Sequence, residues 1–96
     1  MRLTESERSI IKRLTVEIFG ESSRVFLFGS RVDDDKRGGD IDLFIEAKTI
    51  YDLFDQKIKL LTQLQAAIGD QKIDIIIATD STRPIEQVAR RTGILL

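Results

Sequence analysis

Apolar positions along the chain repeat with two periods, and the first stretch has the period of a helix. We predict this helix over residues 5–19, because Thr4 and Glu7 form the pattern of a capping box and Gly20 suits a helix end. The apolar residues of its buried stripe are spaced three or four apart: Ile10, Ile11, Leu14 and Ile18.

Two strands are predicted next from short apolar runs. Residues 24–28 are apolar and aromatic and lie between polar turn residues, while residues 40–46 alternate strictly. One face of the second strand is aliphatic, and the other bears its carboxylates. The aliphatic set is Ile41, Leu43 and Ile45, and the opposite set is Asp40, Asp42, Phe44 and Glu46.

The second half of the chain predicts a long helix, a strand and a last helix. The long helix covers residues 51–68, the strand residues 72–78, and the last helix runs from Pro84 to about residue 91. An apolar tail, residues 94–96, fits either a core plug or an interface patch. The stripe expected to be buried in the long helix is Phe54, Ile58, Leu61, Leu64 and Ile68.

This order of elements predicts the α/β (α+β) class, with a small mixed sheet of three to four strands and helices on one face. We expect the first two strands to be antiparallel and the second and third to be parallel, joined by a right-handed helical crossover. Helices then cover the isoleucine face and leave the carboxylate face open. Residues 1–96 are interpreted as a single domain.

Composition removes several kinds of chemistry. The chain has 96 residues, 42% of them apolar and 32% charged, as in ordinary globular proteins. It contains no cysteine and no histidine. Thiolate or histidine metal sites and a Ser-His-Asp triad are therefore excluded, and any catalysis depends on carboxylates, hydroxyls, Lys or Arg with a bound metal.

Charge and hydropathy bear on partners and location. The net charge of −1 argues against a direct nucleic-acid footprint, although a nucleoside triphosphate with its metal remains compatible. No apolar run approaches the roughly 20 residues that span a bilayer, so no membrane association is expected. The N-terminus has no hydrophobic signal segment, and a reducing cytoplasm suits a chain without cysteine.

Candidate metal ligands lie at the start of the second strand. Asp40 and Asp42 are two residues apart, which places them on one face roughly 6.6 Å apart. Asp74 lies near the start of the neighbouring strand, although pairing with Lys72 alone would also explain it. Carboxylate oxygens suit Mg²⁺, and two ions held by Asp40 and Asp42, with Asp74 as a ligand or general base, would suit phosphoryl transfer.

A small-residue turn between the first two strands offers groups for phosphate. Gly29 allows close backbone approach, and the Ser30 hydroxyl can bind phosphate oxygens. Arg31 could neutralise a leaving pyrophosphate, or it could pair with the acidic run at residues 33–35. That run is interpreted as a solvated loop, with a metal or partner contact as the alternative.

Gly29-Ser30-Arg31, Asp40-Ile41-Asp42 and Asp74 together resemble the signature of the nucleotidyltransferase superfamily that includes DNA polymerase β. The resemblance covers nearly the whole chain, and the chain's size resembles the minimal nucleotidyltransferase (MNT) branch, commonly the antitoxin of HEPN–MNT toxin–antitoxin pairs. Gly39 stands where many relatives have serine, and the resemblance places it in the nucleotide-binding loop.

The resemblance implies transfer of AMP from ATP to a protein hydroxyl, with release of pyrophosphate. The expected acceptor is a tyrosine of a HEPN ribonuclease toxin, which is thereby silenced. Because the chain has no room for a second domain, we expect a protein partner to complete the cleft. The alternatives are transfer to a small molecule such as an aminoglycoside, or a non-catalytic antitoxin that masks its partner by binding.

Overall fold

Three helices and four strands are formed by the residues that the computed structural model describes, which are 2–32, 40–48, 50–69 and 71–96. The predictions that fall on residues 33–35 and on Gly39 lie outside these ranges. In chain order the elements are α1 (Glu5–Phe19), β1 (Arg24–Phe28), a 3₁₀ turn (Gly29–Val32), β2 (Ile41–Glu46), α2 (Leu53–Ile68), β3 (Ile73–Ile77), α3 (Pro84–Thr92) and β4 (Ile94–Leu95).

The strands form one mixed sheet in the order β3-β2-β1-β4. As predicted, β1 and β2 are antiparallel and β2 and β3 are parallel. The apolar tail supplies β4, which pairs antiparallel with β1. Leu96, which follows β4, is 5% exposed, and its N–H donates to the Val25 carbonyl at 2.9 Å. The tail therefore contributes Leu96 to the core, while Leu95 remains exposed.

The main core lies between the sheet and the pair α1 and α2. Alternate residues of β2 point into it, as the strand pattern predicted, and Ile73, Ile75 and Ile77 of β3 do the same. Thr15, a polar residue in this core, donates its hydroxyl to the Ile11 carbonyl at 2.7 Å. The apolar residues of this core that have no exposed surface are Ile11, Leu27, Ile41, Leu43, Ile45, Leu60 and Leu64.

In α2 the predicted buried stripe is wrong in two of its five residues. Phe54 is 74% exposed and Ile58 is 44% exposed, whereas the polar Gln56 is fully buried. The Gln56 side chain donates to the Ile18 carbonyl at 3.2 Å, and this bond allows a polar residue to face α1. The helix also begins two residues later than predicted, at Leu53, with Asp52 as its cap.

The second face of the sheet is covered in part by α3, which corrects the expectation of a fully open carboxylate face. Phe44 of β2 has no exposed surface and packs with Phe28 and with Ala89 of α3. The ring centroid of Phe44 lies 6.1 Å from that of Phe26. At the end of this face that bears the aspartates, Asp74 is exposed and Asp42 is half-buried. None of the helices in the described ranges is long and apolar enough to span a membrane.

Candidate active site

The predicted carboxylates do meet at one rim of the sheet. Asp42, the second residue of β2, is the register partner of Phe28 on β1 and of Asp74 on β3. The two aspartates therefore stand side by side on neighbouring strands and on the same face. Asp40 lies just before β2, and its Oδ2 is 3.5 Å from the Lys72 ammonium, so Lys72 pairs with Asp40 and not with Asp74.

The electrostatics around Asp40, Asp42 and Asp74 favour a bound cation. Burial, together with the negative charges of Asp74 and Asp40, raises the pKa of Asp42 above its usual value, and a hydrogen bond with Asp74 acts in the same direction. Lys72 opposes these effects only weakly, as the smallest of the contributions. The site therefore concentrates negative charge that a bound cation would relieve.

Gly29 lies against this carboxylate, and any other residue type there would have to move the Asp42 side chain. Its φ of 76° lies in the left-handed region, and a Cβ at this position would lie 2.2 Å from Asp42 Oδ2. The turn between β1 and the loop thus packs its backbone directly on the Asp42 side chain. Ser30 follows within the same 3₁₀ turn.

Arg31 contacts the segments that precede α1 and β3. Its guanidinium donates to the Arg2 carbonyl at 3.1 Å and to Gln71 Oε1 at 3.2 Å, and Gln71 in turn donates to Glu7 at 2.8 Å. This network holds the glycine-serine turn to two other parts of the molecule. The sequence analysis missed Gln71 and Glu7, because no local pattern links three segments so far apart in the chain.

The aspartates open into a cleft of about 480 Å³. Its polar lining residues are Asp42, Asp74 and Lys57 of α2, and the remaining lining residues are apolar. Lys57 was not predicted, since its position follows from how α2 lies along β3. The apolar lining residues are Phe28, Leu61, Ile73, Ile75, Ile76 and Ile85.

The donor set suits a hard divalent cation. Within the described ranges, no group of three or more Asp, Glu, His or Cys side chains has the arrangement of a formed metal site. The adjacent carboxylates of Asp42 and Asp74 nevertheless have the chemistry that Mg²⁺ prefers, and the negative charge of Asp74 adds to burial in raising the pKa of Asp42. The residues present therefore fit the ion that the sequence analysis expected.

A small mixed sheet with paired carboxylates at the start of two parallel strands defines the nucleotidyltransferase class. Residues 11–96 match the family described as "Polymerase beta, Nucleotidyltransferase", and the chain belongs to this family. The α+β fold class and the nucleotidyltransferase fold are thereby confirmed. A search of curated proteins finds no match.

Among solved structures, the chain is similar to one from a crystal structure of the toxin–antitoxin MntA–HpeT, solved as a mutant with two Asp-to-Glu substitutions. The TM-score is 0.69 at 22% sequence identity, and the alignment covers 93% of this chain and 70% of that chain. At this identity the likeness establishes a shared fold.

Proposed function

We propose that this chain is a Mg²⁺-dependent nucleotidyltransferase that transfers AMP from ATP to a protein hydroxyl and acts as an antitoxin. The observation that carries the proposal is the side-by-side placement of Asp42 and Asp74 in one cleft, with Asp40 beside them. Family membership supports nucleotidyl transfer as the reaction class.

The proposed step is an in-line displacement at the α-phosphorus of ATP. The acceptor oxygen forms the new P–O bond, the bond to pyrophosphate breaks, and Asp74, the most exposed of the three aspartates, takes the hydroxyl proton and passes it to water. Asp40, Asp42 and Asp74 would hold the Mg²⁺, with two ions expected. When bound, the metal would neutralise phosphate charge and activate the acceptor oxygen.

The phosphate groups of ATP belong, in this proposal, beside the turn that follows β1. The Gly29 backbone lies against Asp42. In this proposal Ser30 and Gly39 would contact the triphosphate, as the family resemblance implies. Arg31 would reach the leaving pyrophosphate by exchanging its bonds to Arg2 and Gln71. Its present contacts keep the turn in place before the nucleotide arrives.

A toxin protein is the proposed partner, and a tyrosine of a HEPN ribonuclease the proposed acceptor. The fold likeness to a chain of a toxin–antitoxin structure supports a toxin as the partner, as does the spacing of the two substituted aspartates there, which matches that of Asp40 and Asp42. The HEPN tyrosine is what the family resemblance implies. The cleft is open on one side, so a partner would complete its wall. ATP as the donor is consistent with a cytoplasmic location.

Mass spectrometry tests the proposed function. The chain is incubated with Mg²⁺, ATP and the product of the neighbouring gene, and intact masses are read. We expect the partner to gain one or more AMP units, and Asp40→Asn or Asp42→Asn to abolish the gain. Asp55→Asn, which changes a carboxylate paired with Lys59 on α2, is the matched control and should transfer normally.

Two results would separate the competing functions. Neutralisation of a toxic partner that survives both substitutions, with no change of mass, would replace catalysis by simple masking. AMP found on an added aminoglycoside and never on the protein would move the acceptor to a small molecule.

A further inference from the structure

The outer edge of β3 carries peptide groups that face away from the sheet. β3 is an edge strand, and two bonds fix its pairing: the Ile41 N–H donates to the Lys72 carbonyl at 3.0 Å, and the Ala78 N–H donates to the Ile45 carbonyl at 2.9 Å. Because a parallel strand pairs through every second residue, Asp74 and Ile76 bond to β2. The peptide groups of Ile73, Ile75 and Ile77 therefore point outward.

These outward groups are mostly unpaired. Within the described ranges, the Ile77 carbonyl accepts from Arg83 at 3.2 Å, while the N–H and C=O groups of Ile73 and Ile75 have no hydrogen-bond partner. Natural edge strands are usually blunted by Pro, Lys or a bulge, and β3 has none of these.

A groove runs along this edge. The cleft at the aspartates continues into a second cavity of about 90 Å³ at the other end of β3, and the two share Lys57, Ile75 and Ile76. One wall is the face of α2 that carries Leu53, Lys57 and Leu61, which recur every four residues. The opposite wall contains Ile85 and Arg83.

We propose that an extended segment of the acceptor protein adds to the outer edge of β3 as a fifth strand. This inference rests on the proposed function and deepens it, because the added strand would run directly past Asp74. Its backbone would pair with Ile73 and Ile75. A helix could not take this place, since its own peptide groups are already bonded internally.

The walls of the groove define the chemistry of that segment. Side chains of an added strand alternate between the two faces of the sheet. On one face, apolar side chains would pack on Leu53 and Leu61, and an acidic one would pair with Lys57. On the other face, side chains would lie beside Ile85 and the aspartates, where the acceptor hydroxyl is needed.

Amide hydrogen exchange, followed by NMR, gives a direct readout. In the chain alone, the amides of Ile73 and Ile75 should exchange faster than those of Asp74 and Ile76, which bond to β2. Addition of the neighbouring gene's product, without ATP, should slow Ile73 and Ile75 by at least about tenfold and leave Asp74 and Ile76 nearly unchanged.

The outcomes of this experiment distinguish docking from catalysis. A complex that leaves Ile73 and Ile75 unprotected, or no complex at all, overturns the inference. Protection that rises with the concentration of the chain alone also overturns it, because the occupant is then a second copy. If AMP is transferred but the Ile73 and Ile75 amides stay unprotected, the strand-addition inference is wrong and the proposed function stands. If these amides are protected but no AMP is transferred, docking at the edge is supported and the proposed function is wrong.

A charge reversal tests the groove independently. Lys57→Glu should weaken association with the neighbouring gene's product by about tenfold, because the acidic side chain of the partner would then be repelled. Lys59→Glu is the matched control, since it makes the same change on the same helix, where Lys59 pairs with Asp55 at 3.2 Å. Equal weakening by the two variants would exclude this groove as the contact.

Discussion

Gly29 meets two separate demands, and only one of them concerns its backbone. Its φ of 76° would strain any other residue, but Gly20 at φ 99° and Gly69 at φ 91° meet the same demand. Only Gly29 also has a carboxylate where its side chain would be, because a Cβ there would lie 2.2 Å from Asp42 Oδ2. A substitution there must move the aspartate that is proposed to hold the metal.

Gly29→Ala should therefore reduce AMP transfer by at least about tenfold, because a shifted Asp42 can no longer share an ion with Asp74. Gly20→Ala is the control, since nothing lies within 4 Å of its added Cβ. Both variants should lose about 1 kcal/mol of unfolding free energy from backbone strain. Chemical denaturation and a time course of AMP incorporation measure the two effects, and an unchanged transfer rate in Gly29→Ala would contradict this role.

At the scale of single residues, the sequence predicts what local spacing determines. Asp40 and Asp42 share a face because they are two residues apart on a strand, and Asp74 joins them once β2 and β3 are parallel. The contacts of Lys57 and Gln71 could not be predicted from the sequence, because their positions depend on how a helix and a turn lie against distant strands.

Among the elements, the connection from β3 to α3 is organised by one buried carboxylate. Glu86, the third residue of α3, has no exposed surface. Its Oε2 accepts from the backbone N–H groups of Thr79 at 3.1 Å and Asp80 at 2.9 Å, and from Arg83 Nε at 2.7 Å. Burial raises the pKa of Glu86, but these donors outweigh it and leave the pKa below its usual value.

Glu86→Gln should destabilise the protein by about 2 kcal/mol at neutral pH, because the amide replaces a charged acceptor of several bonds. A lowered pKa contributes stability above the unfolded value, and this contribution is lost as the pH falls through the folded pKa. The difference from the wild type should therefore shrink in acid. Urea denaturation at several pH values checks this, with the exposed Glu17→Gln as control, and a constant difference would contradict it.

The predicted elements are confirmed where a long or strictly alternating pattern defines them, as in α1 and β2. The predicted buried stripe of α2 is partly wrong, because periodicity shows that a helix is amphipathic without showing which of two adjacent stripes is buried. The hydrogen bond from Gln56 to α1 determines which stripe faces the core. β4 has only two residues, too few for any period. Coverage of the second face by α3 follows from packing around Phe44.

In the whole molecule, the placement of Asp42 that suits the proposed site lowers the stability of the fold. The sheet places Asp42 between a fully packed core and Asp74, and the raised pKa of Asp42 means that its ionised form is disfavoured in the folded state. Such a group favours folding while it is protonated, and this contribution is lost as the pH rises through its folded pKa. Asp42 and Glu86 thus give the metal-free protein opposite dependences on pH.

Asp42→Asn should therefore raise the melting temperature of the metal-free protein by about 2–5 °C at pH 7.5, although it abolishes transfer. The gain should disappear as the pH falls well below 3.8, the ordinary pKa of the side chain, because Asp42 is then protonated in both states. Added Mg²⁺ should stabilise the wild type and leave Asp42→Asn nearly unaffected, since the ion relieves the same repulsion that the substitution removes. Thermal unfolding with and without Mg²⁺ measures all three effects, with Asp55→Asn as a carboxylate control that should gain no stability. A less stable Asp42→Asn at pH 7.5 would mean that the carboxylate supports the fold and is not held there for its chemistry.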